Sequence, residues 1–146
     1  MSRSLSGAIV LVLFVSSQPA WAASEPFSCP QQLPPTHQQP GEVPPGFTPG
    51  QETAKHVLDG FRINEGPLDV RAGAIYEQVT TKKDGKGGVI ETVIWSVPAA
   101  PGALAICGYS STNVVLTRSL DGYKQCSMVS RKPAGGLMEL QTAGCR

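Results

Sequence analysis

From residue 70 onward, apolar and polar positions alternate with the period of two that marks a half-buried strand. Two such runs, 74–81 and 89–97, flank Lys82-Lys83-Asp84-Gly85-Lys86-Gly87-Gly88, whose glycines can take positive φ. The pattern predicts a long β-hairpin. In its second arm Val93, Trp95 and Val97 share one face and Ile90, Thr92 and Ile94 the other, which assigns Trp95 to the core. Four more strands are predicted at 103–109, 113–118, 125–130 and 137–142. The breaks between them are Ser110-Ser111-Thr112, Asp121-Gly122 and Pro133-Ala134-Gly135-Gly136, all turn chemistry.

Upstream the pattern is weaker. Thr48, Pro49 and Gln51 suit the start of a helix, with Ala54, Val57 and Leu58 on one face and Gly60 as its stop. Against that, Val57, Phe61 and Ile63 run into Asn64-Glu65-Gly66-Pro67, which resembles the turn that ends a strand. A strand over 57–63 is the expectation. The segment 23–50 is dominated by Pro, Gln and Gly, and with so many fixed φ angles and missing N–H donors it is expected to run extended, outside any ladder. Cys29 at its start suggests a strap pinned to the body rather than a loose linker, with Leu33, Val43 and Phe47 covering an apolar edge.

The first residues form an address label. Arg3 supplies a positive end, residues 7–15 (GAIVLVLFV) an apolar stretch, and Ala20-Trp21-Ala22 a cleavage site preceded by Pro19. The apolar run is too short for a transmembrane anchor, and Pro26-Phe27-Ser28 ahead of Cys29 does not suit a lipidation site. The expected organisation is therefore a signal peptide over 1–22, a strap over 23–50 and a β-rich domain over 51–146, exported to the periplasm or secreted onward. The fold class is mainly β: a small antiparallel sandwich or open barrel.

Removing residues 1–22 takes away Arg3 alone among the charged side chains and leaves eleven basic against eleven acidic residues. A nucleic-acid binder or a polybasic membrane binder would carry a basic excess, so both classes are set aside. All four cysteines, Cys29, Cys107, Cys126 and Cys145, remain in the mature part. An even count in an oxidising compartment points to two disulfides. Zinc is the competing reading, but the sequence has no C-x2-C pair to seed a tetrahedral site. Three pairings are possible. No cofactor or metal is called for.

Cys29-Pro30, Gly60-Phe61-Arg62-Ile63-Asn64-Glu65-Gly66-Pro67, Trp95, Cys107-Gly108-Tyr109, Leu116-Thr117-Arg118-Ser119-Leu120, Cys126 and Cys145, taken in order, resemble a family of small, largely uncharacterised exported proteobacterial proteins. The resemblance implies a periplasmic, disulfide-bonded β protein and carries over no activity.

Candidate chemistry is sparse. The two histidines are His37 in the strap and His56. His56 with Asp59 and a serine would make a hydrolase triad on paper, yet no Gly-x-Ser-x-Gly elbow is present, and a surface or capping role is expected for His56. Paired cysteines leave no thiolate nucleophile. Lys82, Lys83 and Lys86 form the most basic local feature, suited to an acidic partner or an anionic lipid surface if it is more than a solvated hairpin tip. Tyr109 with Ser110, Ser111 and Thr112 would form a polar-aromatic contact patch if exposed. The leading expectation is a non-enzymatic module that binds a protein partner, of the inhibitor or immunity type, directed at a toxin or wall-degrading enzyme. An assembly factor of the cell envelope comes second and an unrecognised hydrolase third.

Overall fold

A computed structural model describes residues 24–37, 41–50, 53–70 and 72–146, so the expected signal peptide lies outside the described residues. The alternating segments form the hairpin β4 (Gln78–Lys83) and β5 (Val89–Ser96). Val93 and Trp95 are buried on its inner face as expected. β4 starts later than residue 74 because Gly73 and Ala74 bond instead to the end of the preceding strand, β3 (His56–Asn64). The turn after β3 is organised by buried Asn64, whose Nδ2 donates to the carbonyls of Gly66, Pro67 and Val70 while its Oδ1 accepts from Ala72 N.

β6 (Leu104–Tyr109), β7 (Leu116–Ser119), β8 (Gln125–Lys132) and β9 (Glu139–Cys145) complete the body. β7 begins three residues later than the pattern suggested. Thr112 Oγ1 accepts Val114 N at 3.1 Å, a local turn that competes with the ladder.

The strap departs most from expectation. Two strands form within it, β1 (Phe27–Ser28) and β2 (Gln32–Leu33). Pro26, Pro30 and Pro34 bracket them, so each strand occupies a proline-free gap and keeps its N–H donors. β1 pairs with β9 and β2 with β3. Between them, Cys29 N donates to Ala143 O at 2.7 Å and Leu58 N donates to Gln31 O at 2.9 Å. One short segment therefore turns the corner between a five-stranded sheet, β1-β9-β8-β5-β4, and a four-stranded one, β2-β3-β6-β7. All pairings are antiparallel. Both sheets share the strap along one side, and β4 and β7 are their far edges.

The core lies between the sheets. Phe61 on β3 meets Trp95 on β5 edge-to-face, ring centroids 5.7 Å apart, a geometry worth about 1 kcal/mol beyond area burial. Leu58, Ile63, Ala105 and Leu120 fill the space around this pair. At one end Phe27 packs on Tyr123, and the Arg118 guanidinium lies 4.9 Å from the Phe27 ring centroid. Of the strap side chains expected to cover an edge, Leu33 packs against the core. Val43 and Phe47 do not: Phe47 is 75% exposed.

The four cysteines form two disulfides, Cys29–Cys107 and Cys126–Cys145. The first ties the corner of the strap to β6; the second joins facing residues of β8 and β9. Among the described residues no cysteine is free, and no helix is long and apolar enough to cross a membrane.

Candidate functional site

The hairpin tip between β4 and β5 is held by one carboxylate. Asp84 Oδ1 accepts the backbone N–H groups of Lys86 and Gly88, each at 2.8 Å, and Oδ2 accepts Nε and Nη2 of Arg131 at 3.0 and 2.8 Å. The Arg131 hydrogen bond, helped by the Lys86 N–H, holds this carboxyl below its ordinary range. Gly88 closes the loop where a Cβ would meet Asp84 Oδ2 at 2.5 Å and the Lys132 carbonyl at 2.6 Å. The one acid of the loop is thus engaged from across the sheet. Lys82, Lys83 and Lys86 are exposed, and Arg131–Asp84 is the one ion pair among the described residues.

The edge that leads into this tip is apolar and bare. Ile75 is 87% exposed, Tyr76 55% and Val79 42%. Sequence pattern alone missed this feature because 74–81 reads as a single hairpin arm, within which every apolar residue has a partner. The run Ala74-Ile75-Tyr76 carried no sign that it would precede β4 rather than join it, or that β4 would be the last strand in its sheet.

The second candidate set is used internally. Tyr109 is buried, its hydroxyl donating to Pro30 O at 3.0 Å, and burial raises the phenol above its ordinary value. Ser110 Oγ accepts Val57 N at 3.0 Å. Ser111 sits at φ 58° in the turn, and Thr112 Oγ1 lies 3.4 Å from Thr36 Oγ1. Of the expected contact patch, Ser111 alone is exposed; Tyr109, Ser110 and Thr112 hold the strap and the turn in place. The lysines and this group therefore do not form one surface, since they belong to different sheets.

His56 also differs from expectation. It is buried, 2% exposed, because it faces inward at the start of β3. Nδ1 lies 3.0 Å from Ser110 O, an acceptor, so it carries the proton. Nε2 then accepts from Thr36, whose Oγ1 is at 2.9 Å and whose N is at 3.4 Å. The imidazole is a clasp between strap, β3 and β6, and Asp59 of the paper triad is exposed and elsewhere bonded to nothing that orients His56.

No family model, curated protein or solved structure matches this chain. The geometry of its surface is therefore the basis for assigning a role. One concavity, of about 420 Å³, lies beside Pro98, Pro101 and Tyr123, and another, of about 340 Å³, beside Ile94, Ser127 and Thr142. The first has one acid on its wall, Asp121, bonded to Ser119. The second has one base, Arg146, bonded to Gln125. Neither gathers the converging acid, base and nucleophile that general catalysis uses. Among the described residues no group of three or more His, Cys, Asp or Glu side chains is placed to hold a metal.

Proposed function

We propose that this chain is an exported, non-enzymatic binding protein that presents the β4–β5 hairpin to a protein partner, as an inhibitor or immunity-type protein acting on a toxin or wall-degrading enzyme. The observation that carries the reading is the tip itself: Asp84 is locked by Arg131, which leaves Lys82, Lys83 and Lys86 uncompensated on a loop of fixed shape. A pre-ordered loop loses little conformational entropy on binding, which favours recognition. The two disulfides support export, since such bonds persist in oxidising compartments. So does the label at residues 1–22, for which the intact mass of the exported protein should show cleavage after Ala22.

The test is capture from an envelope extract with the wild-type protein and with Lys82, Lys83 and Lys86 replaced by serine. A stoichiometric toxin or hydrolase retained by the wild type, inhibited by it, and bound about tenfold more weakly by the triple variant is the expected result. Retention of a secretion or envelope-assembly component, without inhibition of any enzyme, would instead assign the chain to envelope assembly.

A further inference from the structure

We propose that the outer edge of β4 accepts an extended, acidic peptide segment as an added antiparallel strand. This inference rests on the binding-protein reading above and names the chemistry of the partner.

The first argument is which backbone groups are unpaired. Asp84 N donates to Gly88 O across the hairpin, so Asp84 and Gly88 form a bonded pair. Antiparallel pairs alternate between bonded and non-bonded. With the register Gln78↔Ile94 to Lys83↔Val89, Gln78, Thr80 and Lys82 bond inward to β5. Val79, Thr81 and Lys83 direct their N–H and C=O groups away from it. β4 is last in its sheet and five of its six residues are exposed, so three residues present main-chain groups to solvent at the spacing of a ladder. The other far edge differs: β7 is four residues long, and its Arg118 folds onto Phe27 and Tyr123.

The second argument is what flanks this edge. Lys82 and Lys83 stand at one end, on opposite faces, with Lys86 beyond them; Val79, Tyr76 and Ile75 stand at the other. Edge lysines are a common protection against pairing with another copy of the same strand. A second copy laid antiparallel over the same six residues would set Gln78 and Val79, with no acid, beside Lys83 and Lys82, whereas an acidic strand is attracted. An incoming antiparallel strand would set its acidic first half beside the lysines and its apolar second half beside Val79 and Tyr76. Main-chain bonds would supply affinity and the flanking side chains selectivity, as in other cases of strand addition.

The test uses the purified exported protein and a capped decapeptide, with Asp and Glu over its first half and alternating Val and Thr over its second, followed by calorimetry. The wild type should bind it, and K82S/K83S should bind about tenfold more weakly with a flatter salt dependence. Thr81→Pro removes one outward N–H and leaves the β5 bonds in place, a substitution edge strands tolerate; it should abolish binding. As a measurement that leaves the protein untouched, N-methylation of one alternate set of peptide residues should abolish binding and methylation of the other set should not. Equal binding of both methylated peptides would overturn strand addition. So would binding of phosphatidylglycerol vesicles in place of the peptide, or a dimer in sedimentation that T81P dissolves. If the peptide fails while a captured enzyme still needs the lysines, strand addition falls and the binding-protein reading stands. If capture ignores the lysines, that reading falls as well.

Discussion

The corner formed by the strap and the tip of the β4–β5 hairpin are both polar, loop-rich regions, and they use their polar groups in opposite directions. At the corner, Tyr109, Thr112 and His56 hold the strap, and Ser110 bonds β3 through Val57 N and His56 Nδ1. At the tip one carboxylate, Asp84, fixes the loop through Lys86 N, Gly88 N and Arg131, and the lysines face out. The contrast teaches that the sequence patch richest in hydroxyls is scaffolding here, while the plainer lysine loop is left exposed. It also predicts that damage at the corner is read in stability and damage at the tip in binding.

The largest effect should come from Cys29→Ser, which frees the strap from β6. Loss of a disulfide closing a loop of this length costs about 4 kcal/mol in the chain-entropy model, measured by urea unfolding, and the native protein should show no titratable thiol before the change. An unaltered midpoint would mean that the corner holds without its cross-link. Next is His56→Ala. Removing a buried ring with partners on both nitrogens should lower the unfolding free energy by about 2 kcal/mol, contrary to the mild outcome a surface histidine would give. Unchanged stability would remove His56 from the clasp.

A smaller effect lies in the pH dependence of the tip. The folded pKa of Asp84 is depressed below 3.8, so its contribution is present above that value and is lost as pH falls through the lower, folded pKa. Asp84→Asn should remove this part of the acid dependence, and an NMR titration of the Asp84 carboxyl gives the shift directly; a midpoint at or above 3.8 would contradict the Arg131 contact. Smallest of all, serine at Lys82, Lys83 and Lys86 should change stability by no more than about 0.5 kcal/mol. A larger loss in the same urea assay would show that the lysines support the fold and blur the contrast between the two regions.

Much of this fold was legible because half-buried antiparallel strands alternate, as the inner face of β5 does with Val93 and Trp95. The misses have separate physical causes. In β3 a register shift between Leu58 and Gly60 changes the face that alternate residues present. His56 and Leu58 are therefore buried together with Phe61 and Ile63, whereas Val57, which unbroken alternation would place beside Phe61, is 43% exposed. Nothing in the residue types announces that shift except Gly60. The disulfide pairing was not legible because it depends on strand order: Cys126 faces Cys145 since β8 and β9 are neighbours. The lysines of the candidate surface were visible as composition. Their freedom was not, because it requires knowing that Arg131, far along the chain, neutralises Asp84.

The corner strap has one more consequence, for the order in which this chain can assemble. Phe27 and Ser28 have their ladder partners at Cys145 and Gly144, so the earliest residues of the fold must wait for the latest. Hairpins such as β4–β5 can close locally and early, but the seam between the two sheets cannot form until nearly the whole chain is present. Contacts this distant in sequence are slow to find. A chain synthesised from its N-terminus, or threaded N-terminus first through a narrow pore, therefore keeps its two sheets unjoined until its last residues arrive.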